Sequence, residues 1–144
     1  MKRTKTRVFL DSNVFIAGLC SPLGASNVIL SLCSIGFLEL LTAKQVLIET
    51  ERNLRKKFPQ ILKRYHLFLE KANPMVLPDP SQEDIALAAQ IIHKKDAPIL
   101  AVALKADIDF LISLDARHFA KMTACAATSF DIINPEEFLT RYKQ

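Results

Sequence analysis

Cysteine is scarce in this chain of 144 residues, and so are glycine and histidine, with three of each. Cys20, Cys33 and Cys125 are odd in number, widely spaced and set among apolar or small neighbours. That pattern argues against a disulfide framework or a CxxC metal clip and points to reduced, packed thiols. No apolar run approaches the ~20 residues of a membrane span. The opening Met1-Lys2-Arg3-Thr4-Lys5-Thr6-Arg7 leads into too short an apolar stretch for a secretory leader, so a cytoplasmic location without a membrane partner is expected. No repeat, low-complexity tract or linker divides the chain. Its length and 50% hydrophobic content suit one domain over residues 1–144, with 1–7 as a basic, flexible arm. Neither sign of charge is in large excess: 19 Lys and Arg against 15 Asp and Glu leave +4, a mild bias towards a polyanionic partner.

Val8 to Leu10 form a short apolar run that stops at Asp11, as a buried strand ending in a carboxylate would. Ser21-Pro22-Leu23-Gly24 is a turn, and the apolar residues from Val28 to Ile35 suit a helix closed by Gly36. Phe37 to Leu41 read as a second strand, with Thr42 as N-cap of a helix from Ala43 to Phe58. Pro59 restarts the chain into a helix carrying Ile61, Leu62, Tyr65, Phe68 and Leu69, which Asn73-Pro74 ends. Met75 to Leu77 suit a minor strand. Ser81 caps a helix through Ile92, although Asp84 stands where a capping box wants Glu or Gln. Asp96-Ala97-Pro98 opens a helix that is apolar nearly all round from Ile99 to Leu104. Phe110 to Leu114 read as a strand ending at Asp115, followed by a short helix with Phe119 and Met122. Thr128 to Ile133 suit a last strand, and Asn134-Pro135-Glu136-Glu137 a final helix start. Alternating strands and helices predict an α/β domain, a mainly parallel sheet between two helical layers.

In open α/β sheets, ligands bind beyond the carboxyl ends of the strands, which makes Asp11 and Asp115 the first suspects. Each also has an ordinary alternative, since Asp at a strand end caps helices and turns. Asp96 can equally be an N-cap. If the three converge, they raise one another's pKa values, and a divalent cation removes that penalty. Mg²⁺ and Mn²⁺ suit such oxygen donors. Glu49 and Glu51 both fall beside the apolar face of their helix, and helical periodicity does not choose between them.

Four segments resemble PIN-domain nucleases: Val8-Phe9-Leu10-Asp11-Ser12-Asn13-Val14, Val46-Leu47-Ile48-Glu49-Thr50-Glu51-Arg52-Asn53-Leu54, Asp96-Ala97-Pro98-Ile99-Leu100, and Leu111-Ile112-Ser113-Leu114-Asp115-Ala116-Arg117-His118-Phe119. The likeness continues through Asn134 to Leu139 and is greatest to prokaryotic VapC-like toxins of toxin-antitoxin pairs. It implies a three-layer PIN-like domain. By that resemblance Asp11, Glu49, Asp96 and Asp115 are the catalytic acids holding Mg²⁺ or Mn²⁺, and Glu49 is preferred over Glu51. Asn13 and Ser113 are the supporting polar residues, Ser113 standing where Thr is also common. The implied reaction is hydrolysis of RNA phosphodiester bonds, and the implied partners are RNA, an antitoxin protein and a second copy in a homodimer.

Arg52, Arg55, Lys56, Lys57, Lys63 and Arg64 cluster around Phe58-Pro59, with Lys94-Lys95 before Asp96. Such runs are usually solvated faces; the alternative is a phosphate track, for which Arg52, Arg55, Lys56 and Lys57 are the candidates. His66, His93 and His118 read as incidental, and Asp107 and Asp109 as loop residues. Apolar area around Phe58 and Leu69 would serve a partner or the core. Two rival functions stand beside the nuclease. One is a catalytically silent metal- or RNA-binding module within a complex. The other is an aspartate-based phosphatase, which Asn13 disfavours by replacing the second Asp of DxDxT.

Overall fold

Val8, Phe9 and Leu10 are fully buried because their strand lies at the middle of the sheet, where both faces are covered. The computed structural model describes residues 5–119 and 129–143. Five strands, β1 (Thr6–Leu10), β2 (Leu38–Ala43), β3 (Met75–Leu77), β4 (Phe110–Ile112) and β5 (Asp131–Ile133), pair in the order β3-β2-β1-β4-β5. Every pairing is parallel: Phe9 lies beside Leu41 on one side and Leu111 on the other, and Leu111 beside Ile132. The chain builds outward from β1 through β2 to β3, then crosses to β4. The strand order therefore reverses beside β1, and a crevice opens there at the carboxyl ends of β1 and β4.

Seven α-helices are described: α1 (Ser12–Cys20), α2 (Ala25–Ser34), α3 (Lys44–Lys57), α4 (Leu62–Ala72), α5 (Gln82–Ala89), α6 (Ala97–Leu104) and α7 (Pro135–Tyr142). In one connected layer α1 packs on α2 and α3, α2 on α4 and α7, and α3 on α4. Phe15 meets Tyr65 and Phe68 edge-on within it, and Phe110 meets Phe138. α5 and α6 pack chiefly on each other. Right-handed crossover from β3 to β4 puts this pair on the opposite face. The expected three-layer α/β/α arrangement is thus the one observed. Gly18 permits the close approach of α1 to α2, since a Cβ there would stand 2.5 Å from Leu30 Cδ1. Among the described residues no single helix is long and apolar enough to cross a membrane.

Local signals set most boundaries. Gly36 takes a left-handed φ of 89° just past α2, and Asn73 one of 45° after α4, the positions at which a helix is best closed. Ser81 and Asp84 form a reciprocal capping box, so the shorter acid serves where Glu or Gln was expected; α5 nevertheless stops at Ala89, not Ile92. The hydrogen bond from Lys105, 2.9 Å away, contributes most to holding Asp84 below the usual carboxylate pKa, followed by the Ser81 capping bonds. Thr42 is not the cap of α3. It is a buried residue of β2, and Ala43 precedes the helix without a side-chain cap. The fourth strand ends at Ile112, two residues before the expected Leu114, because Ser113 and Leu114 turn away to bond with side chains of the site. Ala116–Phe119 form a 3₁₀ turn in place of the expected short helix; Met122, Cys125 and Thr128 lie outside the described residues.

Arg7 belongs to β1 rather than to a free arm. Its largely buried guanidinium donates to the Asp107 carbonyl at 2.7 Å, lies 3.4 Å from both Glu39 and Asp107 carboxylates, and contacts Met75 Sδ. Its backbone N–H donates to Asp109 Oδ2 at 2.8 Å. One side chain thereby joins β1, β2, β3 and the α6–β4 loop at the amino end of the sheet. The β3 edge is only three residues long and is bracketed by Pro74, Pro78 and Pro80.

Candidate functional site

Asp11 follows β1 directly and caps α1, its Oδ1 accepting the Ser12 N–H at 2.8 Å. The ordinary capping role is therefore real, but it occupies one oxygen. The other, Oδ2, accepts the Ser113 hydroxyl at 2.9 Å. Ser113 is fully buried and works as a junction: its Oγ also accepts the Asp115 N–H at 3.0 Å and the Asn13 side-chain amide at 3.4 Å. Asn13 Nδ2 reaches Asp115 Oδ2 at 3.3 Å, and its Oδ1 accepts the Leu114 N–H at 3.2 Å. The first turn of α1 and the loop after β4 are thus held as one unit, with Asp11 and Asp115 at its surface. Asn13 is engaged throughout this contact, and no second Asp stands in its place for a phosphatase site.

Glu49 enters from α3 and Asp96 from the residue before α6. Asp96 makes no side-chain capping bond, so the ordinary explanation for an Asp at a helix start does not hold there. Both carboxylates raise the pKa of Asp11, which burial raises more strongly still; the bonds from Ser113 and the Ser12 N–H pull the other way. Glu51 faces elsewhere, 3.0 Å from His66 Nε2 and 3.8 Å from Arg55. The two helical glutamates that periodicity left unresolved are separated by the packing of α3 on α4.

Asp11, Glu49, Asp96 and Asp115 line one cleft of about 1670 Å³, together with Asn13. That exceeds the ~300–1,000 Å³ of a small-molecule pocket and suits a polymer. Its cationic lining is only partly the one anticipated. Arg52 and Lys57 line it, whereas Lys56 does not, Arg55 pairs with Glu51, and Arg64 donates to the Leu19 carbonyl at the end of α1. Lys44, Lys95 and Arg117 complete the walls, with Asp79 and His93 also present. Lys44 was legible as the first residue after β2 at the carboxyl edge, and Arg117 as two residues beyond Asp115. His93 accepts the Lys95 N–H on Nδ1, which gives it a turn-forming role beside Asp96.

The donors are carboxylate, hydroxyl and amide oxygens, the set preferred by hard divalent cations. Among the described residues, no group of three or more His, Cys, Asp and Glu is gathered so as to hold an ion directly. By the chemistry of its donors the set would suit a hard divalent ion such as Mg²⁺ or Mn²⁺.

A family profile described as PIN domain matches residues 7–117, and the chain belongs to the PIN-domain family. Members of that family are generally nucleases. No curated protein matches the chain in sequence. Among solved structures the fold is similar to that of PAE2754 from Pyrobaculum aerophilum, at TM-score 0.66 and 18% identity over 94% of this chain and 88% of the other. It is also similar to VapBC2 from Rickettsia felis, solved bound to a DNA fragment from its promoter, at TM-score 0.60 and 13% identity over 90% and 98%. FitAB bound to an IR36 DNA fragment gives TM-score 0.57 and 19% identity over 89% and 94%.

Proposed function

We propose that this protein is a metal-dependent endoribonuclease, the toxin of a toxin-antitoxin pair. The observation that carries the reading is the cleft at the strand-order reversal, which four carboxylates line together with Lys and Arg, Glu49 and Asp96 lying near enough to Asp11 to raise its pKa. Asp11, Glu49, Asp96 and Asp115 would hold Mg²⁺ or Mn²⁺. The bound ion would supply an activated water and offset charge on the phosphoryl oxygens. Ser113 and Asn13 keep Asp11 and Asp115 at fixed separation. Arg52, Lys57, Lys44, Lys95 and Arg117 bind the flanking phosphates, which draws the RNA across the acids despite their negative charge. Arg55 and Lys56 act at most as distant contributions to the same field.

An antitoxin partner is supported by two of the structural relatives, VapBC2 and FitAB, each solved on DNA. Exposed Val28, Ile35, Leu67 and Leu87 offer apolar surface for a homodimer. The test is cleavage of single-stranded RNA by the purified chain with Mg²⁺ or Mn²⁺, abolished by EDTA and by Asp11→Asn. Equal cleavage by wild type and Asp11→Asn would sink the assignment. The absence of a ready-made three-ligand cluster among the described residues favours one second reading, a silent RNA-binding module within a complex. It predicts RNA binding with no cleavage in either metal.

A further inference from the structure

We infer that Phe58 is the stacking platform for an unpaired base of the RNA in the cleft, a reading that rests on the ribonuclease proposal. Most aromatic rings of the layer built on α1 and α4 are removed from water: Phe15 is fully buried, and Tyr65 and Phe68 nearly so. Phe58 instead keeps 37% of its surface exposed, and it does so within the cleft. Leaving a phenyl ring wet gains the fold nothing, since burial of such a side chain is stabilising. Its backbone is firmly set, however. The Phe58 N–H bonds to the Leu54 carbonyl at 2.7 Å, and Pro59 starts a 3₁₀ turn immediately after it. The ring is thus carried on a set corner at the end of α3, beside Lys57 and six residues after Arg52, all three lining the cleft.

The surroundings identify the occupant by charge. Lys44, Arg52, Lys57, Lys95 and Arg117 line the same cleft as the carboxylates Asp11, Glu49, Asp79, Asp96 and Asp115. With a divalent ion on the acids, as the ribonuclease reading requires, the cations are in excess and favour a polyanion, and Ile48 and Ile91, 47% and 39% exposed, add apolar surface for its uncharged parts. A polyanion with flat apolar faces is a polynucleotide whose bases are unpaired. In a duplex those faces are already stacked on one another and are closed to a side chain. Aromatic stacking accepts every base, so Phe58 selects single strands without selecting sequence.

The test uses the full chain carrying Asp11→Asn, so that RNA is not consumed, and a short single-stranded RNA labelled with 2-aminopurine, alone and annealed to its complement. Binding of the single strand should quench the fluorophore. Phe58→Ala should remove the quench and weaken binding ~10-fold, and Phe58→Tyr should restore both. Duplex binding should be indifferent to either substitution. Unchanged affinity and quenching in Phe58→Ala, with the parent still binding, would overturn this inference and leave the ribonuclease proposal intact. Equal losses for single strand and duplex would also overturn it. A loss confined to an acidic amphipathic peptide would assign the ring to a protein partner instead. A parent that binds no RNA would overturn both proposals.

Discussion

At the amino end of the sheet, Glu39 and Asp107 face the guanidinium of Arg7; at the carboxyl end, Asp11, Glu49, Asp96 and Asp115 face a common cleft with no ion pair among the described residues. The strands are the same and the residue type is the same. What differs is where the compensating charge comes from. An internal cation makes the first group part of the architecture, and the fold is complete when it forms. In the second group Asp11 is left in debt by its burial and by the nearby Glu49 and Asp96, which push its pKa upward. Acids that a fold neutralises hold it together; acids that it leaves to the solvent await something else.

The sharpest way to separate the two ends is to change one acid at the functional end. Asp11→Asn should lower RNA cleavage more than ~100-fold, because even residues one step removed from a metal's ligands cost 10–100-fold. Its thermal midpoint should stay near that of the wild type, measured by circular dichroism. Removing the internal cation should do the reverse. Arg7→Met should cost about 2 kcal/mol in urea unfolding, less than a fully buried pair because Glu39 and Asp107 are partly solvated. Its cleavage rate below the unfolding range should be unchanged; a large loss of rate would mean that the two ends are coupled. Ser113→Ala should reduce cleavage ~10-fold by releasing Asp11 and Asp115 from their shared hydroxyl, read from kcat and KM separately.

The smallest effect lies in pH. The folded pKa of Asp11 is raised, so without metal the native state holds its proton more tightly than the unfolded chain does. The associated stability is full at low pH and is lost as pH rises through the folded value. Asp84 has the opposite sign: its pKa is lowered, and its contribution disappears as pH falls through the folded value. In the presence of EDTA, the gap between wild type and Asp11→Asn should therefore shift in favour of wild type on acidification. A gap independent of pH would show that Asp11 has no strained ionisation to relieve.

These contrasts were legible in the sequence to different depths. Asp11 was visible because a short apolar run ends on it, and Gly36, Asn73-Pro74 and Ser81 marked helix ends because capping is local chemistry. Asp96 and Glu49 needed the motif resemblance, since a helix start and a helix face each supply an ordinary reason for an acid. The Arg7 contacts were invisible: Asp107 and Asp109 are some hundred positions away in the chain, and only the pairing of β1 with β4 brings them together. The basic cluster was over-read for a related reason. Arg55, Lys56 and Arg64 are neighbours of Arg52 and Lys57 in sequence, but helical rotation and the α3–α4 packing turn them to other surfaces. Thr42 misled because it is a good cap by type, while its strand needed one more buried position.

The bracketed edge at β3 bears on how copies or partners meet. An exposed strand of three residues offers a template only about 10 Å long, and Pro74, Pro78 and Pro80 supply no N–H groups on either side of it. A foreign strand would find too few donors and acceptors to register against. Growth of the sheet across the β3 edge is thereby discouraged, and on that side of the molecule the surfaces left for assembly are helical ones, where contact is made by side chains and can be undone without unpicking the sheet.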